Sequence, residues 1–132
     1  LIVIGEHVCH WVAQRTGGEY FGGGQGIGWT RDGELVGGVL VDNSTGRSVQ
    51  MHCAGIGGHW LSKSLLRYSF HYVFNELQVH KAIALVDSTN VEALRLDRHL
   101  GFVQEAVITG TGRHGDTIIL SMTRDQCRYL ET

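Results

Sequence analysis

The chain is 132 residues long, 42% hydrophobic and 18% charged, with a net charge of −2. That composition suits one domain, 1–132, around one core; it is too apolar for disorder and too short for a second domain. The positive charges are scattered and make no basic stripe for a nucleic acid, and no apolar run is long enough to span a membrane.

Residues 2–4 read as a short strand ended by Gly5. Residues 7–15 read as a helix with Val8, Trp11 and Val12 on one side, stopped by Gly17 and Gly18. The glycine-rich stretch 17–28 has no hydrophobic period and reads mostly as loop. The pattern then turns to period two. The runs "GIGWT" and "ELVGGVLV" flank Arg31-Asp32-Gly33, a strong hairpin signal. A loop at 42–46 returns the chain into a third strand, 48–54. There Val49, Met51 and Cys53 share one face, and Ser48, Gln50, His52 and Ala54 share the other. A helix is expected from about 60 to 77, with Lys63, Arg67, His71 and Asn75 as its polar stripe. "KAIALVD" at 81–87 reads as a central strand. Thr89 with Glu92 predicts a capping box for a helix that runs to Leu100, and Gly101 supplies its exit. An antiparallel pair around 110–115 follows, then a last turn in "RDQCRYL". The order β-α-β-β-β-α-β-α-β-β predicts a mixed sheet with helices on its faces.

Cys9, Cys53 and Cys127 are an odd set without framework spacing, which points to a reducing compartment and a cytoplasmic location. Neighbouring strand residues face opposite ways, so His52 and Cys53 do not make half of a zinc site, and no metal is expected.

The junction with the most chemical promise is strand 48–54, then Gly55-Ile56-Gly57-Gly58, then a helix. Glycines ahead of a helix let bare backbone N–H groups converge at its positive end, a place for phosphate oxygens, and Lys63 and Arg67 can add charge. The same geometry serves a purely structural turn. Neither the dinucleotide fingerprint nor the mononucleotide phosphate loop is present.

From Met51 to Arg128 the sequence resembles the GNAT N-acetyltransferase superfamily, especially small phage- or prophage-encoded members. The pieces that carry the likeness are "YVFNELQVHKAIALVDSTN", "NVEALRLDRHLGFVQEA" and "GDTIILSMTRDQC", with Asn90, Gly101-Phe102, Glu105 and Gly115-Asp116 at the matching places. The resemblance implies an α/β fold with a mixed, mostly antiparallel sheet and helices on both faces. The strands near 48–54 and 81–87 would splay apart and admit the pantetheine arm of acetyl-coenzyme A. It places the pyrophosphate on the backbone of Gly57, Gly58, His59, Trp60 and Leu61, with Lys63 nearby. Gly55 stands where the family has Arg or Gln, and Trp60 where it has a small residue. Ala54 or a neighbouring backbone N–H would polarise the thioester carbonyl. Asn90 would position the cofactor, or it simply caps the next helix.

The activity implied is transfer of an acetyl group from acetyl-CoA to a primary amine on a small molecule, protein or peptide. His52 is the leading base, on the polar face of the strand bordering the cleft. Glu6, Glu34, Asp42 or a relaying water are the alternatives. The tyrosine that often serves as acid in the family falls here on Asp97. A carboxylate is normally ionised, and Asp97 beside Arg98 reads as helix surface. Tyr68 and Tyr72 read as packing residues. The missing tyrosine, the altered phosphate loop and the short N-terminal part also fit a catalytically weak or inactive binding protein of a phage. A homodimer or a partner subunit would complete a shortened acceptor rim.

Overall fold

Period-two alternation over 25–55 produces three consecutive antiparallel strands, β2 (Gln25–Arg31), β3 (Glu34–Asp42) and β4 (Ser48–Gly55). The β2–β3 turn is carried by Asp32 and Gly33, both at positive φ (54° and 80°), the hairpin geometry that the Asp-Gly pair predicts. The computed structural model describes residues 1–130. It adds β1 (Ile2–Ile4), β5 (Lys81–Asp87), β6 (Val103–Ile108) and β7 (Thr117–Thr123), with helices α1 (Glu6–Thr16), α2 (Lys63–His71) and α3 (Val91–Leu100). The element order is the one predicted.

The seven strands form one sheet in the order β1-β2-β3-β4-β5-β7-β6. Every neighbouring pair is antiparallel except β4 and β5. That parallel pair holds only through Ser48↔Lys81, Val49↔Ala82 and Gln50↔Ile83. Past Gln50 the two strands continue without pairing to each other, so the sheet splays where expected. Lys81 of β5 donates to Glu105 of β6 (2.7 Å), and Ser121 of the intervening β7 donates to the same carboxylate. This polar strap ties β5, β7 and β6 at the closed end, where β4 and β5 still pair.

The helices cover both faces. On one, Val8, Cys9 and Val12 of α1 pack against Leu40. A Cβ at Gly26 would lie 2.5 Å from the Gly5 carbonyl oxygen and 2.8 Å from the Cys9 nitrogen, so only glycine lets α1 rest directly on β2. On the other face Leu65 and Phe70 of α2 and Leu94 and Leu100 of α3 join Val39, Val49, Ala84 and Leu120 in the main core. Phe70 sits at its centre, within ring contact of Phe74, Phe102 and Tyr129.

Three local expectations need correction. The helix predicted from about 60 starts at Lys63, because Ser62 is its cap and its hydroxyl accepts from the Leu65 N–H at 3.0 Å. At Tyr72 it widens into a π turn that runs to Glu76. The capping box at Thr89 does not form. Asn90 caps α3, its Oδ1 accepting from the Ala93 N–H at 3.2 Å, while the Thr89 hydroxyl turns back to Asp87 at 2.6 Å. Tyr72 packs against the core as expected, but Tyr68 is 44% exposed.

Candidate active site at the strand splay

Beyond Gln50 no strand among the described residues lies against the β5-facing edge of β4. The backbone N–H and C=O groups there are open to an extended ligand, which can pair as a strand would. Behind this edge lies a cavity of about 30 Å³, room for a water or two. Met51 and Cys53 of β4, Ala84 of β5, Ser69 and Phe70 of α2, and Asp97 and Leu100 of α3 are among the residues lining it. His52 and Leu61 also border it.

His52 sits on the α1 side of β4, opposite Leu40 in the β3–β4 register. Its Nε2 lies 2.8 Å from Asp42 Oδ1, and both side chains are about three-quarters buried, at 26% and 20% exposure. An ionised carboxylate can only accept, so Nε2 carries the hydrogen, and in the neutral imidazole the lone pair is then on Nδ1. Asp42, read from the sequence as an alternative base, instead orients the predicted one. The signal was in the register. Leu40 pairs with His52 and Asp42 with Gln50, which makes Asp42 and His52 diagonal neighbours on one face.

Asp97 is not helix surface. It is only 8% exposed and occupies the inner stripe of α3 between Leu94 and Leu100, at a spacing of three. Among the described residues nothing hydrogen-bonds its carboxyl. Burial pushes it up to about 6. Burial likewise pushes the Cys53 thiol up to about 12, with the charge of Asp97 adding to the effect. The Ser69 hydroxyl is fully buried in the same cavity, and it too has no partner among the described residues.

The glycine turn is shaped by Trp60. A Cβ on Gly55 would fall 1.8 Å from Trp60 Cδ2, and one on Gly37 would fall 2.8 Å from Cε3. Gly37 and Gly55 are cross-strand partners, so the indole lies flat on a floor cleared of side chains. This packing holds residue 60 off a helical path and moves the helix start to Lys63. It also accounts for Gly55, since no larger side chain fits beneath the ring. Gly57, Gly58 and His59 remain exposed, and His59 adopts positive φ (62°) with its carbonyl accepting from Arg31 at 3.4 Å. Lys63 is exposed at the first position of α2. Ala54 is half-buried beside the α1 cluster, and Asn90 is exposed at the cap of α3.

The far rim is organised by Asp87. Its carboxylate accepts from the His114, Gly115 and Thr89 N–H groups and from the Thr89 hydroxyl. These bonds, that from His114 foremost, hold it well below the usual carboxylate range. They pin the 109–116 loop beside the start of α3. Arg113 of that loop donates to the Gly17 carbonyl at the end of α1.

No family model and no curated protein matches the chain. Solved structures do. A probable acetyltransferase is 20% identical with a TM-score of 0.66, the match covering 78% of this chain and 62% of that one. The spermidine N-acetyltransferase of Vibrio cholerae, in complex with CoA and spermine, is 21% identical with a TM-score of 0.65, covering 78% and 67%. The Campylobacter jejuni N-acetyltransferase in complex with acetyl-CoA is 18% identical with a TM-score of 0.61, covering 79% and 70%. The chain thus spans less than two thirds of the first of these proteins. Its sheet order, its single parallel pair and the split after Gln50 are those of the GNAT N-acetyltransferase fold.

Proposed function

We propose that the protein transfers an acetyl group from acetyl-CoA to a primary amine at the β4–β5 split. One observation carries this reading: the parallel pair ends at Gln50↔Ile83, and the His52–Asp42 pair stands at the opening. The pantetheine arm lies along the free edge of residues 51–55, its amides pairing with the strand. A backbone N–H at or next to Ala54 meets the thioester oxygen as it gains charge. The pyrophosphate rests on the exposed backbone of Gly57, Gly58 and His59 and on the N–H groups of Trp60 and Leu61, with Lys63 adding charge. Asn90 serves this site through the cap that sets the start of α3 beside the split. The amine attacks the thioester carbon in its neutral form, and its proton passes to Nδ1 of His52 while Asp42 holds Nε2–H.

The fold relatives named above include a spermidine acetyltransferase, which makes polyamines and lysine-bearing peptides the first acceptors to try. The test is calorimetric titration with acetyl-CoA, followed by amine-dependent release of free thiol. Micromolar binding with amine-dependent thiol release is expected. A folded protein that binds no acetyl-CoA would refute the reading.

A further inference from the structure

We infer that the donor site takes a short acyl group ending in a hydroxyl, held by Ser69 and Asp97 in the cavity behind the split; the inference rests on the acetyl-transfer reading of the same site and extends its donor. It begins from Ser69. A serine hydroxyl within a helix ordinarily points to water or bonds back to the carbonyl four residues earlier. Ser69 lies near the end of α2 and is only 1% exposed, yet its hydroxyl has no partner among the described residues. The carboxyl of Asp97 on α3 is buried and unpaired among the same residues. Both line one cavity, whose remaining walls are largely apolar, with Met51, Leu66, Phe70 and Ala84 among them. A buried polar group without a hydrogen bond costs free energy, and two of them in one cavity point to an occupant that pairs with both.

The cavity opens on the split. The last pair of β4 and β5 is Gln50↔Ile83, and the cavity walls Met51, Cys53 and Ala84 come directly after it. Cys53 faces the core, whereas the neighbouring His52 turns to Asp42 on the α1 side. A thioester carbon lying in the split therefore meets its amine from the His52 side and turns its acyl tail toward Ser69. The cavity, about 30 Å³, has room for one or two water-sized groups, which excludes a long chain.

The chemistry of the two orphans selects the end of that tail. A hydroxyl has one donor and two acceptor lone pairs. It accepts from the Ser69 O–H and donates to the Asp97 carboxylate, so one group satisfies both. A methyl satisfies neither, an ammonium leaves the Ser69 proton unpaired, and a carboxylate sets like charge against Asp97. In the reaction the amine nitrogen bonds to the thioester carbon, and its proton passes through His52 to solvent. The C–S bond breaks with its electron pair on sulfur, which takes a proton from solvent to give the coenzyme A thiol. The hydroxyl is unchanged, and the product is a hydroxyacyl amide.

The test is calorimetric titration of the whole chain with two isosteric pairs: hydroxyacetyl-CoA against propionyl-CoA, and β-hydroxypropionyl-CoA against butyryl-CoA. Within at least one pair the hydroxyacyl donor should bind about tenfold or more tighter, the scale of one or two net hydrogen bonds. S69A should cut that preference by about threefold or more while the Kd of the methyl-ended partner moves by less than about twofold, a selective loss that a merely structural serine would not produce. Hydroxyacyl donors that bind no better than their isosteres show that the cavity holds only internal water, and they overturn the inference while leaving acetyl transfer standing. A preference that survives S69A unchanged overturns it as well. A folded protein that binds none of these thioesters, nor acetyl-CoA, refutes the acetyl-transfer reading itself.

Discussion

Replacing Asp97 by Asn should stabilise the protein at neutral pH relative to acid. The folded-state value of Asp97 is raised from the ordinary 3.8 to about 6. The native state therefore holds this proton more tightly than the unfolded chain does. Below pH 3.8 the carboxyl is neutral in both states and its burial carries no ionic penalty. Stability from this group is lost as pH rises from 3.8 through about 6, and above that the full penalty applies. Two pH units correspond to roughly 3 kcal/mol, and the side chain is buried enough that solvent screening removes little of it. Asn cannot ionise, so D97N lacks this loss. Urea titrations at pH 4 and pH 7.5 measure it directly. The difference in unfolding free energy, D97N minus wild type, should grow by about 2.4 kcal/mol between the two, since at pH 4 the unfolded carboxyl is already partly ionised. Parallel pH dependence of the two proteins would show that the carboxyl is solvated and would refute the reasoning.

Other substitutions probe the remaining parts of the site. His52→Ala should lower kcat by about 100-fold and leave acetyl-CoA affinity by calorimetry unchanged. Asp42→Asn should give a smaller loss of the same kind, because it misorients the imidazole without removing it; equal rates for all three proteins would exclude His52 as the base. Gly58→Glu places bulk and negative charge on the exposed turn and should abolish acetyl-CoA binding in a protein whose circular dichroism is unchanged. Gly55→Ala puts a methyl inside the Trp60 ring position, 1.8 Å from Cδ2, so the indole must leave its floor. It should cost about 1–3 kcal/mol in thermal or urea unfolding and red-shift the tryptophan fluorescence.

How much of this was legible in the sequence depends on whether the signal was local. The β2–β3 hairpin was, because alternation and the Asp-Gly turn lie within a dozen residues of each other. So were the ends of α1 and α3, where Gly17 and Gly101 take left-handed φ of 82° and 115°. The split between β4 and β5 came from family resemblance alone. Nothing in 48–54 or 81–87 says that pairing stops after three residues. The two features that most alter the site were set by contacts between distant positions. Residues 37 and 55 become a floor for Trp60 only once the β3–β4 register makes them partners. Asp42 reaches His52 by the same register.

Asp97 is a different kind of miss. Its stripe was visible, with Leu94 and Leu100 three residues to either side, and the helical period alone places it inward. Residue type argued the other way, since a carboxylate beside Arg98 reads as solvated. Period and type rarely conflict in a packed helix, and where they do the structure must absorb an unpaired charge at some cost in stability. Here that conflict falls at the split in the sheet, on the cavity wall opposite β4. An apolar residue would satisfy packing there better than Asp97 does, so packing does not explain it. The buried carboxyl carries a stability cost that follows its ionisation. The instability at neutral pH should therefore be relieved in D97N, and by more as pH rises through about 6.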